Sequence, residues 1–258
     1  LAVIVLPWYL AALSIHGQLF IDGFFLKHNV QRFAGTLEGH GGSALYYVIA
    51  VPLLLLPWSG PFFAALRNVR DDTHTSVRRF LWIWSGFVVL FFSLSGTKLP
   101  HYVLYGITPL FILIAAHRDA PRRTWPHLLA PTLFLAAFPL LPLIFAALSH
   151  SSAGDAFYRA QLGRALELAH TSYYLATLSA LLIWVAVMLR WKQALWKRLV
   201  VAAALQVVVL AGVVVPYAGT LVQGPVRDMA LKVREMNEEV TLKRFTAPSF
   251  SVYRQAVT

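Results

Sequence analysis

The sequence predicts an all-α polytopic membrane protein of about seven transmembrane helices, followed by the start of a small α/β extracytoplasmic domain. Composition is the first reason. Of 258 residues, 58% are hydrophobic and 13% are charged, about half the charged share of an average soluble domain. Spacing is the second: the apolar residues come in blocks close to the ~20 needed to cross a bilayer. The third is charge placement, because most Lys and Arg sit between the blocks or at their ends.

Taken in order, the apolar segments are 1–16, 46–66, 80–97, 101–117, 127–148, 172–190 and 198–218. The third and fourth are short and nearly contiguous, so they read as a membrane hairpin. Pro131, Pro139 and Pro142 interrupt the fifth. Prolines are tolerated in a span where neighbouring groups satisfy the carbonyls they free. Arg67, Arg70, Arg78 and Arg79 follow the second segment. Arg118, Arg122 and Arg123 follow the fourth, and Arg190, Lys192, Lys197 and Arg198 join the sixth to the seventh. If segments alternate, these basic loops share one side, which the positive-inside rule makes cytoplasmic. The loops 17–45 and 149–171, the turn at 96–102 and the tail then share the outer side. The transmembrane domain is expected over 1–221. The tail 222–258 reads as a helix begun near Pro225, then strands "VTLKRF" and "FSVY" around Pro248. Leu1 opens inside an apolar run, and the tail stops after a strand-like stretch, so a piece of a longer protein is expected.

The sequence has no cysteine, which removes disulfide and thiolate chemistry. Its formal charge of +11 would suggest nucleic acid in a soluble protein. Here the basic residues mark span ends, so nucleic acid is not an expected partner and membrane lipids are. No Asp or Glu falls in the middle of a span, which argues against a proton-coupled pump. A channel or transporter is supported only by isolated polar residues such as Ser93 and Gln206.

Polar chemistry gathers instead in the outer loop "GFFLKHNVQRFAGTLEGHGG". On a helix His28 and Arg32 lie one turn apart and share a face. Arg32 offers a planar fork for phosphate oxygens and Lys27 a flexible point charge. Phe20, Phe24, Phe25 and Phe33 could seat such a helix in the interface. On charge alone this fits either a pocket for a lipid phosphate or a surface helix meeting ordinary anionic lipids. Glu38 and His40 follow among glycines that permit a mobile backbone. His28, Glu38 and His40 are types that hold divalent metals, although their spacing matches no zinc pattern. In the turn "GTKLPHY", Lys98 and Tyr102 face the same surface. They fit either a phosphate site or an ordinary interfacial anchor.

Together "FFLKHNVQRF", "EGHGG…LYY", "LLLLPW" and "SGTKLPHYVLYGITPL" resemble the polyprenyl-phosphate-dependent glycosyltransferases of the GT-C type. The nearest group is the bacterial lipid A aminoarabinose transferases, related to protein O-mannosyltransferases. The resemblance implies a GT-C fold in the bacterial inner membrane with its active site facing the periplasm. It implies transfer of a sugar from an undecaprenyl-phosphate-linked donor to lipid A, another glycan or protein. Arg32, Lys98, Lys27 and Tyr102 would hold the lipid phosphate. His28, Glu38 and His40 would contact donor or acceptor, with His28 a candidate metal ligand. No residue corresponds to the family's catalytic carboxylate, which lies in an earlier outer loop. Asp22 and Glu38 sit in a later loop. The chain therefore reads as the C-terminal portion of such an enzyme. The alternative is a non-catalytic polyprenyl-phosphate-binding or flippase-type protein.

Overall fold

The computed structural model describes residues 2–36, 41–72, 74–119, 123–151, 156–236 and 248–255, leaving aside the side chains of His28, Asn29 and Arg32. Among these residues the chain is helices and turns without a strand. It divides into two compact units, Leu1–His127 and Leu128–Thr258.

The first unit opens with α1 (Ala2–His16). Gly17, at φ 52°, turns the chain so that the following arm lies 119° from α1. A side chain at such a positive φ would be strained. The arm is helical throughout: Gln18–Phe20, a π-helical Ile21–Gln31, then Arg32–Ala34. Trp8 and Tyr9 of α1 meet Phe20 and Phe24 of the arm at ring separations of 5.7–6.3 Å. Aromatic packing therefore braces the bend.

The segment 46–66, expected as one apolar segment, is two helices. These are α2 (Tyr46–Leu54) and α3 (Ser59–Leu66), bent by 120°. Pro57 is the cause in the sequence, since it offers no N–H and disfavours the helical region for Leu56. The hairpin is present as α4 (Ser76–Leu94), a 3-10 turn over Pro100–Val103, and α5 (Leu104–Ala116). Gly106 lets its helices close: a Cβ there would sit 3.0 Å from Val88 Cβ. Ser85 donates to the Gly106 carbonyl at 2.7 Å. Small residues at a helix crossing are a common membrane packing device. Tyr47, Val51, Leu55, Leu81, Val103, Ile107, Leu110 and Leu113 form the core around it.

In the second unit α6 (Trp125–Ser149) holds the three expected prolines. Pro142 has no N–H for the carbonyl of Phe138, four residues back. The Tyr173 hydroxyl donates to that carbonyl at 2.6 Å, so a neighbouring helix supplies what the proline removes. The outer loop carries α7 (Ala156–Gly163) and a short turn Ala165–Leu168. Then come α8 (Thr171–Arg190), α9 (Leu195–Val209), a π-helical Leu210–Val214 and α10 (Val215–Met236). Trp184 of α8 is fully buried and donates to Thr132 Oγ1 at 2.8 Å.

Two expectations for the tail change. The helix expected from Pro225 is continuous with the last apolar segment, because Leu195–Met236 runs as one 42-residue stretch. "FSVY" is not a strand: it lies in α11 (Pro248–Arg254). Pro248 suits a first helical position. Phe250 is buried against Val226 and Ala230, with Tyr253 packed beside it. That three-residue spacing is a helical face. "VTLKRF" lies outside the described residues, and no α/β domain is seen among those described.

Among the described residues four helices are long and apolar enough to cross a membrane, Ser76–Leu94, Trp125–Ser149, Thr171–Arg190 and Leu195–Met236, or up to six spans if each bent pair counts as one. The helix from Pro100 to Ala116 is shorter. Outward-facing Ile4, Leu13, Phe87, Leu133, Leu182 and Val208 suit a lipid solvent. The chain is a multi-pass helical membrane protein, with four to six candidate spans among the described residues against the about seven expected.

Candidate functional site

Three motifs far apart in sequence meet in the first unit. The arm ends at Ala34, and its last residues run against the turn between α4 and α5. The Gly96 N–H donates to the Phe33 carbonyl at 2.7 Å. Thr97 Oγ1 donates to the Gly35 carbonyl at 3.0 Å, and Thr36 Oγ1 to the Gly96 carbonyl at 3.5 Å. Phe33 packs on Phe91 with ring centres 5.1 Å apart. Gly96 is required by space: a Cβ there would lie 2.6 Å from the Gly35 carbonyl carbon and oxygen. The third strand of the junction comes from α2. The Tyr47 hydroxyl donates to the Leu99 carbonyl at 3.0 Å and accepts from the Leu99 N–H at 3.3 Å. One phenol thus satisfies both backbone groups of a residue just before Pro100.

Lys98 lies in this junction and is 6% exposed. Its ammonium donates to the carbonyls of Ser93 at 2.9 Å, Phe92 at 3.4 Å and Ser95. Tyr102 stacks against Phe92 with centres 5.0 Å apart. Its hydroxyl is buried without a hydrogen-bond partner among the described residues. Lys27 is exposed on the arm. The backbone of His28 is in the π-helix, and Arg32 begins the turn that leads into Phe33. The side chains of His28 and Arg32, and Glu38 and His40 entirely, lie outside the described residues. Asp22 is the acid of the arm, and it accepts from Gln18 Nε2 at 2.9 Å. Among the described residues no group of three His, Asp or Glu could hold a metal ion.

Sequence reasoning named Lys98 and Tyr102 but assigned no role to Tyr47, Gly96 or Thr97, which make the junction. "LYY" and "SGT" are apolar or small stretches whose importance comes from contacts some 50–60 residues away. It also treated Arg78 as a topological marker and nothing more. At the far end of the α4–α5 hairpin, Asp72 is 1% exposed. It accepts from Arg78 Nη1 at 3.0 Å and Trp82 Nε1 at 3.0 Å, and its Oδ2 lies 2.8 Å from His117 Nε2. Burial alone would raise this carboxyl's pKa; the bonds from Trp82, His117 and Arg78 outweigh it and hold it below the usual value. That cluster ties the short helix Val69–Asp72 to both arms of the hairpin.

The second unit contains a cavity of about 470 Å³ lined by residues that include His170, Ser172, Tyr173, Tyr217 and Thr220. Both tyrosine hydroxyls are engaged with backbone carbonyls, Tyr173 with Phe138 and Tyr217 with Ala165.

Comparison with known proteins bears out the resemblance read from the motifs. An undecaprenyl phosphate-alpha-4-amino-4-deoxy-L-arabinose arabinosyl transferase of Pseudomonas paraeruginosa is 34% identical over 113 residues, 43% of this chain and 20% of that protein. The same-named protein of Erwinia tasmaniensis is 38% identical over 122 residues, 45% of this chain and 21% of its own length. The matched stretch thus spans about a fifth of each curated relative. The crystal structure of ArnT from Cupriavidus metallidurans, bound to undecaprenyl phosphate, superposes with a TM-score of 0.68 at 24% identity, over 99% of this chain and 46% of that one. At that identity the likeness is one of fold. No protein-family model matches the chain.

Proposed function

We propose that this chain forms part of an inner-membrane glycosyltransferase that moves a sugar from an undecaprenyl-phosphate-linked donor to an acceptor on the periplasmic face. The observation that carries the reading is the junction itself. The arm bearing Lys27 and Arg32 is hydrogen-bonded to the turn bearing Lys98 and Tyr102. The similarity to arabinosyl transferases supports the same reading. The acceptor is lipid A, another glycan or protein.

The expected step is a displacement at the anomeric carbon. An acceptor oxygen bonds to that carbon as its bond to the phosphate oxygen breaks. The acceptor proton goes to a carboxylate base, which the resemblance assigns to an earlier outer loop. The leaving group is undecaprenyl phosphate, and fixed cations lower the barrier by meeting its developing charge. Arg32 is the first candidate, with Lys27 on the same arm, Tyr102 lining the site and Lys98 in the turn at its edge. His28, Glu38 and His40 approach donor or acceptor, with His28 the residue to test for a divalent metal.

The alternative is a non-catalytic lipid-phosphate binder. It would use the same cations and need no carboxylate base. Transfer assays on the intact protein separate the two. Glycosyltransferase function predicts donor-dependent transfer that Arg32→Ala abolishes while the protein still folds. Binding of undecaprenyl phosphate with no transfer by the native protein would leave the binder.

A further inference from the structure

A helix end leaves its last carbonyls without N–H partners. At the end of α4 the Lys98 ammonium meets Phe92, Ser93 and Ser95. An ammonium has three protons, and these carbonyls are enough to use all of them. A cation here also suits the negative end of the helix dipole. The stem is enclosed as well: a Cβ at Gly42 would come within 3.2 Å of Lys98 Cγ. The carbonyls it holds lie just before Gly96 and Thr97, which bond to Phe33 and Gly35. The ammonium therefore anchors the backbone from which the junction springs.

We infer that Lys98 is a positioning residue: its ammonium ties off the end of α4 and holds the 95–99 turn against 33–36, instead of contacting the lipid phosphate. The inference rests on the proposed site for the identity of the phosphate; the tie itself is independent of it. A charge turned to three carbonyls has no proton left for a phosphate oxygen. Tyr102, whose buried hydroxyl lacks a partner among the described residues, has a donor to give.

Hydrogen exchange on the intact protein in lipid nanodiscs, with no polyprenyl phosphate added, tests the tie. Lys98→Met is expected to raise exchange of the 95–99 amides about tenfold or more, as a local opening, with 107–114 unchanged. Lys98→Gln keeps a carbonyl-seeking amide without the charge, and is expected to restore much of the protection. Binding of undecaprenyl phosphate is then measured on the same proteins. Unchanged exchange in Lys98→Met overturns the inference, and a tenfold loss of binding beside it makes Lys98 a direct ligand. Exchange raised throughout the hairpin in both variants also overturns it, since the role would be general stability. If the native protein binds no undecaprenyl phosphate, the proposed function fails while the exchange result still decides the tie.

Discussion

Asp72→Asn is the perturbation whose consequence is best defined. The carboxylate is 1% exposed and takes bonds from Arg78, Trp82 and His117 on two helices. Asparagine keeps one acceptor oxygen and replaces the other with an NH2 group. That group then faces a donor, so at least one charge-assisted bond is lost and a buried polar group is left unmatched. Losing a bond to a charged group costs about 1.5–3 kcal/mol, and an unsatisfied partner about 1–3 kcal/mol. A net loss of about 3 kcal/mol is expected. Thermal unfolding of the detergent-solubilised protein should register it as a drop of about 5 °C or more. The pH dependence gives a second check. A carboxyl held below its ordinary value of 3.8 contributes stability that is present above that value and lost as pH falls through the folded one. The native protein should therefore lose stability in the acid range through this site, and the Asn variant should lose less. An Asn variant with unchanged melting and an unchanged acid limb would refute the cluster's role.

Other outcomes follow from the same contacts. Gly96→Ala would force a Cβ against the Gly35 backbone at 2.6 Å, breaking the bonds to Phe33 and Gly35; about 2 kcal/mol of local stability should be lost, read as faster exchange at 33–36, with no change refuting the close approach. Tyr173→Phe leaves the Phe138 carbonyl opposite Pro142 without its donor, at a cost of about 1–3 kcal/mol in the unfolding free energy of the second unit. Tyr47→Phe removes both bonds to Leu99 and should loosen the 95–99 turn in exchange while leaving α9 protected. In the intact protein Arg32→Ala should cut transfer by about 10²-fold or more, as loss of an electrostatic stabiliser does; normal transfer would remove Arg32 from the site.

The sequence by itself determined the solvent. Long apolar blocks with charges between them leave little alternative to membrane helices, because backbone groups in lipid must be satisfied within the segment. The residue types of the arm and of "GTKLPHY" fitted either a phosphate site or an ordinary interfacial anchor, and only the resemblance favoured the phosphate. What the tertiary structure decided is which groups are still available. Lys98 and Tyr102 look alike in sequence as interfacial donors, yet the ammonium is engaged by the end of α4, while the phenol has no hydrogen-bond partner among the described residues. Arg78 counts as one positive charge among many until Asp72 and His117 are seen beside it. "FSVY" carries strand-forming residues, yet Phe250 reaches Val226 and Ala230 only as part of a helix. Each depends on a contact between residues distant in the chain, and local propensity and periodicity contain no information about such contacts.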